Sequence, residues 1–335
     1  MEEIILDNID ISKIFLLTFL SFILAMAWTP FLTDILYKFR LYKNIRASST
    51  PVFTSLHQEK EKTPTLGGVL VWGTVLIITL ILNLSRSQTW LPLFALVTTG
   101  ILGLVDDLLN IKGIGPEGGG LRARHKLIWL IMIAALGAWW FYYKLDWNII
   151  HIPGWGDLQI GLWYIPLFIF VIVACANAVN ITDGLDGLAG GLLALAFLAF
   201  GGIAFVEGKI GLAGFCGSIS GALLAFLWFN IYPARFFMGD TGSLALGATL
   251  GVVAMLTNSV LALPIIALVF VVETLSVILQ VFWRKVFKRK LFLSAPLHHH
   301  FQAMGWPETK VTMRFWIIGA VMAVFGFVVA IIGRG

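Results

Sequence analysis

Ten apolar runs dominate the chain. They cover about residues 14–36, 66–84, 90–109, 125–144, 160–180, 187–206, 211–232, 243–258, 261–287 and 313–333. Most approach or exceed the roughly 20 residues that ~30 Å of hydrocarbon requires at 1.5 Å per residue. None alternates with period two, as barrel strands do, so the runs predict spanning α-helices. One polar interval differs from the rest. DWNIIHIPGWGDLQIG (residues 146–161) sets Pro-Gly and Gly-Asp turns between short apolar runs and predicts a small hairpin. No repeat of 20–50 residues, low-complexity tract or long linker breaks the pattern. The predicted fold is an all-α integral membrane protein of about ten transmembrane helices with a small extracytoplasmic β-hairpin. The whole of residues 1–335 reads as a single polytopic membrane domain.

Composition agrees: 59% of residues are hydrophobic and 12% charged, against about a quarter charged in soluble domains. Charge placement adds an orientation. Of 23 Lys and Arg, 18 fall in or beside the segments that follow runs one, three, five, seven and nine. The positive-inside rule puts those five segments in the cytoplasm and both termini outside. The first residues, MEEIILDNID, are acidic and lack the basic region of a signal peptide. Cys175 and Cys216 both lie in apolar runs and read as small buried hydrophobes, with no disulfide or Cys-based metal site implied.

The chemistry-bearing residues collect in the five cytoplasmic segments. NITDGLDG (residues 180–187) spaces Asn180, Asp183 and Asp186 by three, which a helical turn would align. An Asp-Gly turn capping the next helix is the plainer alternative. Asp106 and Asp107 end an apolar helix, where acids oppose the macrodipole and repel each other unless a cation or proton intervenes. GDTGS (residues 239–243) opens a helix that Thr241 or Ser243 could cap, with free N–H groups for an anion. Its Asp240 is an oxygen ligand suited to Mg²⁺ beside substrate phosphates. In TPTLGG (residues 63–68), Thr63 or Thr65 could cap and Gly67 and Gly68 allow close packing. Lys60 and Lys62 either meet phosphate or sit in a solvated run. His298, His299 and His300 suit hydrogen bonds to phosphate, or orientation of a carboxylate, better than a zinc site. Glu273, inside run nine, reads as a hydrogen bond between helices. No P-loop, G-x-S-x-G elbow or H-E-x-x-H is present. Acids, lysines, histidines and helix N-termini on one face suit Mg²⁺-assisted phosphoryl chemistry on a charged soluble substrate and a lipid.

Taken together, TPTLGG, VDDLLN, NAVNITDGLDGLAGG, NIYPARFFMGDTGS, VVETLSVILQ and APLHHHFQAMGWPETKVTMRFWI resemble the phospho-N-acetylmuramoyl-pentapeptide transferases. These belong to the polyprenyl-phosphate N-acetylhexosamine 1-phosphate transferases. The resemblance spans about residues 60–320 and implies a specific reaction. Phospho-MurNAc-pentapeptide passes from UDP-MurNAc-pentapeptide to undecaprenyl phosphate, with Mg²⁺, giving lipid I and UMP. It also implies residue roles. Asp240 would bind Mg²⁺, and Asp106, with Asp107 beside it, would be the base for the lipid phosphate. Asn180 and Asp183 would hold the diphosphate–metal region. Asp186 and Phe237 would meet the uracil, and Lys60, Thr65, Asn230 and His300 would line the pocket. His298 and His299 would contact phosphates or order the acids. Lys126, in GLRARHK, matches a substrate-binding lysine. A homodimer in the bacterial inner membrane is implied, with the lipid bilayer but no nucleic acid as partner. Asn110 stands where the family often has Lys, and Glu61 where a basic residue is more usual. A glycan-initiating N-acetylglucosamine transferase and a cation-coupled transporter are the rival readings. The uninterrupted His run speaks against the first. The lack of repeated halves, and the placing of most acids on one face, speak against the second.

Overall fold

The computed structural model describes residues 8–42, 63–116 and 119–332. Among them ten long helices follow the ten apolar runs. They are α1 (Asn8–Lys38), α2 (Gly68–Leu82), α3 (Trp90–Ile111), α4 (Ala123–Lys144), α5 (Tyr164–Thr182), α6 (Leu188–Val206), α7 (Ile210–Asn230), α8 (Gly239–Leu256), α10 (Leu268–Phe287) and α12 (Glu308–Ile331). Two short helices, α9 (Leu263–Ile266) and α11 (Leu297–Ala303), complete the set. Eight helices are long and apolar enough to cross a membrane. The others are α2, with 15 residues, and α10, which carries Glu273, Arg284 and Lys285.

Helix α8 is the centre of the bundle, and every one of its residues is buried. Its sequence, GDTGSLALGATLGVVAML, explains how: small side chains let neighbouring backbones approach, as in membrane helix packing generally. A Cβ on Gly242 would lie 2.7 Å from Gly68 Cα, so α2 and α8 touch backbone to backbone. Helices α3 and α5 flank α8. Helix α1 packs on α7, where a Cβ on Gly221 would lie 2.1 Å from the Thr18 carbonyl oxygen and Ser21 donates to the Ser218 carbonyl at 2.6 Å. The outer helices expose large apolar side chains, among them Phe15, Phe19, Ile128, Met132, Leu136, Val321 and Val324. So wide an apolar surface fits lipid rather than water.

Residues 261–287, expected as one span, form two helices. The chain leaves helical geometry at Ala267. The break lets α9 pack on α12 while α10 reaches α5. The hairpin is present: β1 (Ile149–Ile152) pairs antiparallel with β2 (Gly156–Gln159), Ile149 opposite Gln159. Its anchor is His151, whose backbone N–H donates to Asn258 Oδ1 at 2.9 Å. Cys216 is buried and Cys175 half-buried, both as free thiols.

Candidate functional site

The site forms where the end of α3 meets the start of α8. Gly103 makes the approach possible, since a Cβ there would lie 2.2 Å from the Asp240 carbonyl oxygen. One turn later come the adjacent acids. Asp107 Oδ2 accepts the Thr241 backbone N–H at 3.0 Å. Asp107 therefore opposes the dipole of its own helix but complements that of α8, and it satisfies one of α8's orphan donors. The expected caps act otherwise. Thr241 Oγ1 donates to the Gly100 carbonyl at 3.0 Å and Ser243 Oγ to the Gly239 carbonyl at 3.0 Å. No side chain caps α2 either; Gly67 precedes it. The close packing expected of TPTLGG is present. Gly67 and Gly68 donate to the carbonyls of Phe237 and Met238, both at 2.8 Å, and Phe237 donates to Pro64 at 2.8 Å. Thr65 is fully buried at the same junction.

Asp106 faces a different way. Its Oδ1 accepts the Leu121 N–H at 2.5 Å, and its Oδ2 lies 2.6 Å from Lys126 Nζ. The Gly-rich loop allows this closure: Gly120 has φ 92°, and a Cβ there would come within 3.1 Å of Asp106 Oδ1. Lys126, in the first turn of α4, also reaches Asp240 Oδ2 at 2.5 Å. One ammonium thus bridges carboxylates from α3 and α8.

NITDGLDG adjoins this cluster. Asn180 Nδ2 donates to Ser243 Oγ at 2.8 Å. Helix α5 then stops at Thr182 and Asp183 is its C-cap, so Asn180, Asp183 and Asp186 do not share one helical face. Asp186 turns toward the segment after α7, where its Oδ2 accepts the Ala234 N–H at 3.0 Å. Asn230 ties the same two segments, accepting from Gly187 N–H at 3.0 Å and donating to the Phe236 carbonyl at 2.9 Å. The tandem Asp-Gly also starts α6, with Gly187 left-handed at φ 75°.

The His run divides. His298 and His299 are buried with ring centroids 4.2 Å apart. His298 bonds Glu273 twice, through its backbone N–H and Nδ1, each at 3.1 Å. This is the helix-to-helix bond expected of Glu273. His298 Nε2 faces the Asp183–Gly184 turn, for a Cβ on Gly184 would fall 2.3 Å from it. His299 Nδ1 pairs with Gln302 at 2.9 Å, whereas His300 accepts the Leu293 N–H at 3.2 Å on the outer side. Lys60 and Lys62 lie outside the described residues. Sequence reasoning predicted the last helix but missed its part in the site. Glu308 Oε1 accepts the Asp186 N–H at 2.6 Å, Thr312 Oγ1 donates to the Asp186 carbonyl at 3.4 Å, and Trp316 Nε1 donates to the Gly187 carbonyl at 3.2 Å. The spacing of four residues along PETKVTMRFW was the available signal.

Comparison with known proteins gives this arrangement a family. Residues 89–258 match the model described as glycosyl transferase family 4. The phospho-N-acetylmuramoyl-pentapeptide-transferase of Chloroflexus aurantiacus is 41% identical, covering 96% of this chain and 91% of that one. Those of Clostridium perfringens and Geobacillus sp. are 40% and 39% identical, covering 97% and 93% of this chain and 99% and 96% of theirs. The chain belongs to the phospho-N-acetylmuramoyl-pentapeptide-transferase family. The family match spans α3 to α8, the stretch that carries Asp106, Lys126, Asp183 and Asp240.

Whether these residues fit a divalent ion can be tested on their geometry. Asp106 Oδ2 and Asp240 Oδ2 converge on one cationic nitrogen. Among the described residues no group of three or more His, Cys, Asp and Glu forms a metal cage. Two convergent carboxylates fit Mg²⁺, which takes one or two carboxylates and completes its shell with waters and phosphates. They do not suit Zn²⁺, which prefers His and Cys.

Proposed function

We propose that the protein transfers phospho-MurNAc-pentapeptide from UDP-MurNAc-pentapeptide to undecaprenyl phosphate, releasing UMP and forming lipid I. The observation that carries this reading is the convergence of Asp106, Lys126 and Asp240 at the α3–α8 junction of a chain in this family. An oxygen of the lipid phosphate attacks the β-phosphorus of the donor, and the bond from that phosphorus to the UMP oxygen breaks. Asp106 takes the proton of the lipid phosphate, or orients a phosphate already ionised. Asp240, with Asp106 beside it, would hold Mg²⁺, which when bound would supply neutralisation of the diphosphate oxygens. Asn180 and Asp183 line the diphosphate region. Asp186, Asn230 and Phe237 shape the uracil end, with Phe237 offering a ring for stacking. His298, fixed by Glu273, presents Nε2 to the Asp183 turn. The family resemblance adds Lys60, Thr65, His299 and His300 to the donor-binding residues.

By the same reading all ten long helices span the bacterial inner membrane as one domain. The Asp106–Asp240 end faces the cytoplasm, and both termini and the hairpin lie outside. The distribution of Lys and Arg supports that orientation. Two copies would form a homodimer.

The test is UMP release by the detergent-purified protein with undecaprenyl phosphate and Mg²⁺. UDP-MurNAc-pentapeptide and UDP-N-acetylglucosamine run in parallel. Turnover with the first alone is expected. Turnover with the second alone would move the protein to glycan initiation.

A further inference from the structure

Lys126 stands in an unusual place. It sits in the first turn of α4, where a cation opposes the helix dipole. Its stem carries the ammonium into a gap between two acids whose side chains are only 9% and 10% exposed. Two carboxylates so close and so buried repel strongly unless a positive charge lies between them. Lys126 supplies that charge, at 2.6 Å from Asp106 and 2.5 Å from Asp240.

The same two oxygens are the ones assigned above to Mg²⁺, and this inference rests on that assignment. A magnesium ion sits about 2.0–2.1 Å from its oxygens. An ammonium bridging both oxygens and a divalent ion bridging both oxygens need the same space, and they repel each other. We propose that Lys126 is the resident counter-cation of the Asp106–Asp240 pair and that the divalent ion displaces it on binding. The surroundings are built for the exchange. Asp106 stays in place without the lysine, because the Leu121 N–H holds its other oxygen at 2.5 Å. Asp240 stays in place because it belongs to the first turn of α8, where the dipole favours an anion. Lys126 has a flexible four-carbon stem and a side chain 17% exposed, so it has an open edge to swing toward. Once displaced, its ammonium is free to meet the anionic diphosphate, which reconciles a substrate-binding role with its position on the acids.

Mn²⁺ binding to the detergent-purified full chain, followed by electron paramagnetic resonance without nucleotide or lipid, tests the exchange. A lysine-bridged state excludes the ion, and removing a state that excludes a ligand tightens apparent affinity by the inverse of the competent fraction. Lys126→Met should therefore bind Mn²⁺ about tenfold more tightly or better, and Lys126→Gln likewise. Lys126→Arg, which can still bridge the acids, should stay near the parent. Equal or weaker Mn²⁺ binding by both neutral variants overturns the proposal. Asp240→Asn should lose the ion in either background. If it does so while the neutral variants gain nothing, only the exchange is wrong. If Mn²⁺ binding survives Asp240→Asn, the metal assignment falls and the exchange with it. Should the neutral variants fail to fold, the parent protein gives the answer. Modification of Lys126 by an amine reagent, read by mass spectrometry, should rise severalfold when saturating Mg²⁺ is added. Unchanged modification refutes displacement.

Discussion

Gly103→Ala is the sharpest probe of the α3–α8 junction, because it adds one methyl group and changes no charge. The new Cβ would lie 2.2 Å from the Asp240 carbonyl oxygen, 2.4 Å from its carbon and 2.6 Å from Thr241 Cα. All three are backbone atoms, so no side chain can rotate away. Ordinary contact begins near 3.4 Å, and the helices must therefore part by about 1.2 Å. Overpacking of this kind costs about 1–3 kcal/mol of stability. The larger effect is on chemistry. Asp240 rides on the displaced turn while Asp106 rides on α3, and a misplacement of about 1 Å can lower turnover about 10²-fold. Gly100→Ala is the control, one turn earlier on the same face. The three atoms nearest its Cβ all belong to the Trp72 side chain, the closest at 3.3 Å. UMP release should thus fall about a hundredfold in Gly103→Ala and only modestly in Gly100→Ala, with folded yield of both checked by thermal unfolding. Near-parental turnover in Gly103→Ala would refute the idea that this contact sets the site.

Asp240→Asn and Asp183→Asn should each lose turnover by about 2–4 kcal/mol of transition-state stabilisation while remaining folded. Retention of near-full activity at low Mg²⁺ by either would remove it from the site. Asp107→Ala orphans the buried Thr241 N–H at a cost of about 1–3 kcal/mol, so thermal stability and activity should fall together. Asp107→Asn keeps an acceptor and should hold its unfolding temperature closer to the parent. Glu273→Gln weakens a charge-assisted bond to His298 that contributes about 1.5–3 kcal/mol. Turnover should fall roughly ten- to a hundredfold at unchanged folded yield, and an unchanged rate would make Glu273 a packing residue only.

The helices were legible because the lipid interior imposes a simple demand: long apolar runs with internally bonded backbones. The acids were legible as candidates because polar groups stand out at the ends of such runs. Their partners were not legible, because each partner lies far away in sequence. Thr241 looks like the cap of its own helix, yet its hydroxyl goes to Gly100 and its N–H to Asp107, 134 residues before it. The spacing of Asn180, Asp183 and Asp186 suggests one helical face only while the helix continues, and it ends at Thr182. Run nine conceals its break at Ala267, because nothing in the local composition reveals that its second part turns to reach α5.

The adjacent acids carry the deeper lesson. As a sequence pair, Asp106 and Asp107 are two like charges at the wrong end of a helix. Successive residues on an α-helix point about 100° apart, so neighbours in sequence face different neighbours in space. Asp107 meets a backbone donor of α8, and Asp106 meets an ammonium from α4. Each charge is compensated by a different element, which is why the pair is tolerated at so little exposure. The chemical units are therefore Asp107 with Thr241, and Asp106 with Lys126 and Asp240. The first ties the start of α8 to the end of α3, and the second gathers two acids and an ammonium at that same junction.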